Sequence, residues 1–193
     1  MNLAAIREHQ YRRVSNAVRE AAVLVPVLRD EGDPWLLFTK RADHLGEHPG
    51  QMSFPGGGRE PIDTDLEATS LREAHEEIGL RPEEVTVIGR LDDIRTTSEY
   101  AVSPFVAEIP VREYKPDRRE VAEIVRLRVA DLTEPANYEY ERRDHPVYGD
   151  IIVHYFHIGD YTVWGATGRI VVQFLELSTD WNAPERLDPE QYG

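Results

Sequence analysis

Apolar positions along the chain change period several times, and the changes mark its elements. Ala21 to Arg29 (AAVLVPVLR) and Trp35 to Thr39 (WLLFT) are β-rich runs. Glu31-Gly32-Asp33-Pro34 between them is turn chemistry, which predicts a hairpin. Glu84 to Leu91 and Ala101 to Ile109 alternate as half-buried strands do, around a polar loop from Asp92 to Tyr100. Glu120 to Val129 is strand-like and Ala130 to Pro135 a short helical turn, while Tyr138–Arg143 and Asp150–Ile158 predict a second hairpin around Pro146 and Gly149. Helical spacing appears three times. Residues 1–20 carry Ile6, Tyr11, Val14 and Val18 on a polar background, predicting an N-terminal helix that packs on the domain edge or on a partner subunit. Leu71, Ala74 and Ile78 recur at i, i+3, i+7, and Ile170, Val171, Phe174 and Leu177 give Val163–Leu177 the face of a closing helix. Lys40–Met52 reads as an irregular loop, the charged stretch Pro110–Arg119 as mobile, and the tail 180–193 as frayed. Strands interleaved with helices point to the α/β class in one domain over 1–193.

The polar face of the middle helix carries the chemistry. Glu73, Glu76 and Glu77 are spaced i, i+3, i+4, which places three carboxylates on one side of a helix. Like charges so placed repel, and a hard divalent cation, Mg²⁺ or Mn²⁺, removes the penalty through oxygen ligands. Arg72, four residues before Glu76, can pair with that carboxylate and hold it. Thr64-x-x-Glu67 is a candidate capping box, Gly79 suits the left-handed residue after the last turn, and Pro82 prevents continuation. Upstream, Gly56-Gly57-Gly58 lets the backbone approach a ligand closely, and a glycine loop feeding a helix N-terminus suits phosphate. The competing interpretation of these features is a solvated Glu-rich helix after a turn.

Other candidates lie nearby. Lys40 and Arg41 end a strand, where they can meet phosphates. His44 and His48 are four apart, but Gly46 and Pro49 argue against a helix there and no third nitrogen or sulfur ligand stands close, so zinc is disfavoured; His48 shapes the loop or donates to substrate. Glu99 is a candidate second acid and Tyr100 a stacking surface for adenine, with a solvated loop tip as the alternative for both. A net charge of −14 repels polyanions, which counts against a nucleic-acid partner, though a small anionic substrate can still bind through a cation and a few arginines. No apolar run is long enough to span a bilayer, and the absence of cysteine excludes disulfides and makes the cytoplasm the natural compartment.

The run from Arg72 to Leu80 resembles the second half of the Nudix box, Arg-Glu-U-x-Glu-Glu-x-Gly-U with U apolar, at every specified position. The earlier acid of that box falls on Asp63 when counted from Gly57, or on Thr64 when counted from Arg72. Leu37, Thr39, Arg41, Leu45, His48, Gly50, Gln51, Phe54, Pro55, Gly56 and Gly57 resemble the signature of the coenzyme A diphosphatase branch. Ser103–Val106, Glu120–Glu123 and Trp164–Thr167 fit the same branch, whose members often carry Gly-Phe where this chain has Glu99-Tyr100.

The resemblance implies a Nudix α/β/α sandwich around a central mixed β-sheet. It implies Glu73, Glu76 and Glu77 as metal ligands, with Glu120 or Glu123 as a further ligand or base, and Arg72, Glu73 and Glu76 as the catalytic set. Lys40, Arg41, His48, Gln51, Gly56, Gly57 and Gly58 would meet substrate, joined by Glu99 and Tyr100. The implied substrate is coenzyme A or acyl-CoA, cleaved to phosphopantetheine and adenosine 3′,5′-bisphosphate. The alternatives are hydrolysis of ADP-ribose, nucleotide sugars or damaged nucleoside triphosphates, and a non-catalytic binding module. A homodimer is compatible with all of them.

Overall fold

In the computed structural model, which describes residues 1–15, 19–42, 50–96, 99–145 and 149–184, the alternating runs become strands of two sheets. The first turn of helix, α1 (Ala4–Glu8), is far shorter than the helix expected over 1–20. The physical reason is a shortage of apolar anchors. Ile6 is fully buried, but Tyr11 is exposed, Val18 lies outside the described residues, and Arg19 already belongs to β1 (Arg19–Asp30). Over residues 9–14 the chain runs without regular structure, held by Asp92, which accepts from Arg12 N (2.9 Å) and Arg12 Nε (2.8 Å), and by Asp93, which accepts from Val14 N (3.1 Å).

β1 turns into β2 (Asp33–Arg41), as the first hairpin predicts. Short β3 (Met52–Ser53) and β4 (Gly56–Gly58) follow, then α2 (Leu66–Ile78), β5 (Thr86–Arg90), β6 (Ile94–Arg95), β7 (Tyr100–Glu108) and β8 (Val121–Arg128). These eight strands form one sheet with the path β3-β2-β1-β7-β5; β4 pairs with β1, β6 with β7 and β8 with β2. β1 and β7 run parallel and the other pairs antiparallel, so the sheet is mixed. After α3 (Val129–Leu132), the second hairpin appears as β9 (Tyr138–His145) and β10 (Gly149–Ile158), joined by β11 (Tyr161–Trp164) in a second, three-stranded sheet. β11 takes Val163 from the expected closing helix, which begins instead as α4 (Gly165–Ser178), with Gly165 at φ 64 making the corner.

The layers follow from the two-residue period of β1. Ala22, Leu24 and Leu28 pack with Ala74 and Ile78 of α2, while Val25 and Val27 pack with Ile170, Val171 and Phe174 of α4. Helices therefore cover both faces of the mixed sheet, an α/β sandwich. Residues 110–119, expected to be mobile, are tied to the end of α2: Lys115 N donates to Ile78 O (3.2 Å), Asp117 N to Glu77 O (2.8 Å) and Arg112 Nη2 to Gly79 O (3.0 Å). The last carbonyls of a helix lack intrahelical donors, and this segment supplies them. No helix among the described residues is long and apolar enough to cross a membrane.

Candidate active site

The glycine run is a strand rather than a loop feeding a helix. Gly56, Gly57 and Gly58 pair antiparallel with Val23, Ala22 and Ala21, and residues 59–65 separate them from α2. Here glycine is needed for close approach: a Cβ on Gly56 would overlap Ala22 O and Val23, and one on Gly57 would stand 2.5 Å from Glu73 Oε1. β4 is thus pressed between β1 and the acidic face of α2. The N-cap of α2 is Asp65, not Thr64; its Oδ1 accepts from Ala68 N (2.8 Å), so the expected Thr64–Glu67 box is not formed. Gly79 takes the left-handed C-terminal position at φ 66 as expected.

Arg72 gathers the polar face. Its Nε and Nη2 donate to Asp63 Oδ1 (2.9 Å) and Oδ2 (3.1 Å), Nη1 lies 3.0 Å from Glu73 Oε1 and 3.1 Å from Glu76 Oε2, and Nη2 also donates to Gly58 O at 3.0 Å. Asp63 is buried and also accepts from Glu60 N (2.8 Å) and Thr69 Oγ1 (3.0 Å). The Arg72 guanidinium, foremost, holds the Asp63 carboxyl down at about 2. Of the two alternatives for the earlier acid of the box, the structure places Asp63 against Arg72, while Thr64 is exposed.

The three helix acids differ in depth. The Glu76 side chain is 56% exposed, that of Glu73 is 14% exposed, and Glu77 as a residue is 8% exposed. Burial, foremost, then the charges of Glu73 and Glu120, push the Glu77 carboxyl up to about 8 against the opposing Gly56 N–H and Arg41. Glu77 Oε2 is buried without a hydrogen-bond partner. Burial also raises Glu73, against Arg72 and with Glu76 and Glu120 adding to the rise. Glu120 reaches this group because the anchored 110–119 segment delivers it: Glu120 N donates to Asp117 O (3.0 Å), and Glu120 O accepts from Ala42 N (2.9 Å). Among the described residues, no three acidic or imidazole side chains are gathered tightly enough to hold an ion as they stand. The donor set nonetheless suits a hard divalent cation, because it consists of carboxylates that repel one another and include a buried oxygen lacking any partner.

Four of the remaining predicted residues line two clefts. Lys40 and Gln51 line one, of about 330 Å³, together with Gly50, Met52, Asp160, Tyr161, Thr162 and Trp164. Gly58 and Tyr100 line the other, of about 470 Å³, with Arg19, Glu20, Arg59, Glu60, Pro61 and Asp63. Tyr100 is not a free stacking surface, since the Arg19 guanidinium lies 5.6 Å from its ring centroid and Nη1 donates to its hydroxyl at 3.3 Å. Glu99 is exposed and holds φ 64, a left-handed conformation that favours glycine. Arg41 is half-buried at the end of β2, with Nε unpartnered. His48 lies outside the described residues. Glu123 faces a different neighbour from Glu120, accepting from Tyr161 Oη at 2.6 Å. Sequence reasoning gave no site role to Arg19, Tyr161 or Trp164, although Trp164 opens one of the runs that fit the branch. The Arg19–Tyr100 contact follows from the parallel register of β1 and β7, which no local pattern encodes.

The sequence model of the NUDIX domain matches residues 18–150. A protein named uncharacterized Nudix hydrolase NudL from Enterobacter sp. (strain 638) is 39% identical over 172 residues, covering 86% of this chain and 85% of its own length. The NudL of Cronobacter sakazakii is 39% identical over 168 residues, 84% of each chain. Among solved structures, a MutT/nudix family protein from Enterococcus faecalis has a TM-score of 0.57 at 13% identity, covering 88% of this chain and 64% of its own. An Ap4A hydrolase from C. elegans in a binary complex has a TM-score of 0.50 at 19% identity, covering 59% and 82%.

Proposed function

The chain belongs to the Nudix family, hydrolases that act on pyrophosphate bonds of nucleotide derivatives, and from that premise we propose that its substrate is coenzyme A or an acyl-CoA. Water splits the diphosphate, giving phosphopantetheine and adenosine 3′,5′-bisphosphate. The choice of substrate is supported by the run Leu37–Gly57, whose Lys40 and Gln51 line one cleft although eleven positions separate them in sequence.

The observation that carries the chemistry is Glu77, buried beside Glu73 and Glu120 with an oxygen that nothing satisfies. Glu73, Glu76, Glu77 and Glu120 would hold Mg²⁺ or Mn²⁺, which when bound neutralises phosphate oxygens and acidifies water. Arg72 fixes Glu73 and Glu76 while Asp63 fixes Arg72, so the acids keep one geometry. Glu76, the most open of the three helix acids, takes the proton from the attacking water. Gly56 and Gly57 admit the backbone to the acidic face, where a side chain would intrude. Arg41, whose charge reaches Glu77, ends β2 and would meet the substrate phosphates, while Lys40 beside it lines the cleft with Gln51.

The test is a panel of CoA, acetyl-CoA, ADP-ribose, a nucleotide sugar and nucleoside triphosphates with Mg²⁺ and with Mn²⁺, products identified by mass. Phosphopantetheine should dominate. Faster release of AMP or of free diphosphate from the other substrates would replace CoA as the substrate. Glu76→Gln should lower kcat by at least about 10²-fold, the usual scale of acid–base catalysis; unchanged turnover would mean that the acid face is not catalytic.

A further inference from the structure

β11 was not foreseen from sequence, and it forms one wall of the cleft that holds Lys40 and Gln51. Trp164, one of its lining residues, is 38% exposed. Its indole is already set in place: it lies nearly parallel to Tyr155 (centroids 6.0 Å, 11°), which in turn stacks on His157 (6.1 Å, 4°) along the outer face of β10. Register explains the ladder, since Tyr155 pairs directly with Trp164, and residues two apart share a strand face. Tyr161 is held as well, its hydroxyl donating to Glu123 Oε1 at 2.6 Å. Gln51 meets this wall at the strand-to-helix corner, where a Cβ on Gly165 would be 3.9 Å from Gln51 Nε2.

Among the described residues the cleft is therefore lined by Trp164, Tyr161, Met52 and Gln51, with one cation, Lys40, against one anion, Asp160. That balance is unsuited to a further phosphate but suits an uncharged chain bearing amides, which packs on aromatic faces and exchanges hydrogen bonds with Gln51. Its position fits the rest of a diphosphate substrate. Gln51 is five residues before Gly56, which faces Glu77, and five extended residues span at most about 17 Å.

We infer that this cleft is the subsite for the uncharged arm beyond the diphosphate, with Trp164 as its specificity-determining residue; the inference rests on the CoA assignment, for which the arm is phosphopantetheine. Trp164 is a binding residue here and takes no part in bond cleavage.

The experiment measures binding without turnover, by calorimetry of 4′-phosphopantetheine and separately of adenosine 3′,5′-bisphosphate, to wild type, Trp164→Ala and Trp164→Phe. Trp164→Ala should weaken 4′-phosphopantetheine about tenfold, the size of one lost aromatic contact. Trp164→Phe should restore most of that affinity, and adenosine 3′,5′-bisphosphate should bind all three proteins alike. With CoA as substrate, Trp164→Ala should raise KM and leave kcat near the wild-type value. Equal 4′-phosphopantetheine affinity in all three proteins, a loss confined to adenosine 3′,5′-bisphosphate, or no binding of 4′-phosphopantetheine to wild type overturns the subsite. The substrate assignment fails separately, if wild type releases no phosphopantetheine from CoA.

Discussion

Asp63 illustrates how much depends on a single carboxylate. It accepts both arms of the Arg72 fork and is buried beneath it, so Arg72 can hold Glu73 and Glu76 only while Asp63 holds Arg72. Asp63→Asn removes the charge and leaves a guanidinium whose best acceptor has become half a donor. The expected result is a loss of about 2–3 kcal/mol of stability, as for other charged hydrogen bonds broken on one side, with a fall in kcat larger than the rise in KM; urea unfolding and steady-state kinetics read both. The Asp63 contribution is present above the ordinary carboxylate range and is lost as pH falls through about 2. Glu99 gives a prediction of opposite sign. Its φ of 64 strains any residue with a Cβ, and glycine relieves that, so Glu99→Gly should raise stability by about 1 kcal/mol. The family branch that the sequence resembles often carries glycine at this place, for which the backbone supplies the reason. A higher melting temperature with unchanged turnover is expected; lost turnover would assign the Glu99 carboxylate a role in substrate binding.

At the scale of elements, the strand β4 matters more than its length suggests. It fills the space between β1 and α2, where Gly57 and the Glu73 carboxylate cannot both remain if a methyl is added. Gly57→Ala should displace Glu73 and lower kcat strongly, while the flexible glutamate tip moves at a stability cost of only about 1 kcal/mol. Gly56→Ala meets backbone instead, at Ala22 and Val23, and should cost about 3 kcal/mol. Thermal unfolding of the two variants side by side checks the contrast. The acid helix, its left-handed end at Gly79 and most strands were legible because period and turn chemistry are local properties. The glycine run was misplaced because the same residues serve a phosphate loop and a close strand crossing, and only the neighbour in space decides which. The N-terminal helix failed because four spaced apolar residues do not anchor a helix whose partners lie in the 90–93 loop.

For the whole molecule, the second sheet and α4 are coupled through buried His154. Its Nδ1 is 2.8 Å from the Tyr138 hydroxyl, its backbone carbonyl abuts Gly168, and burial, foremost, with Arg169 adding, lowers its pKa to about 4. An unfolded histidine takes a proton near 6.5, so stability is full above that value and falls as pH drops from 6.5 toward 4. The loss from this group is roughly 3 kcal/mol. Denaturant unfolding at pH 7.5 and 4.5 should show it, and His154→Gln should flatten the difference by about that amount. The fold class was legible at this scale from strands interleaved with helices. The two-sheet arrangement was not, because β11 is four residues long and carries no periodic signal.

Taken alone, the amino-acid order determined which acids stand one helical turn apart, where the helix stops, and which strands alternate, since each depends on neighbours within a few residues. Tertiary structure alone decided depth and company. Glu73, Glu76 and Glu77 are equals in sequence, yet Arg72 holds an open Glu76 and a mostly covered Glu73, while Glu77 is buried without a full set of partners. That difference is made by β4 on one side and by Glu120, delivered from the 110–119 segment, on the other. Burial is a property of what packs on a residue from far along the chain, and it converts three similar side chains into three different chemical groups.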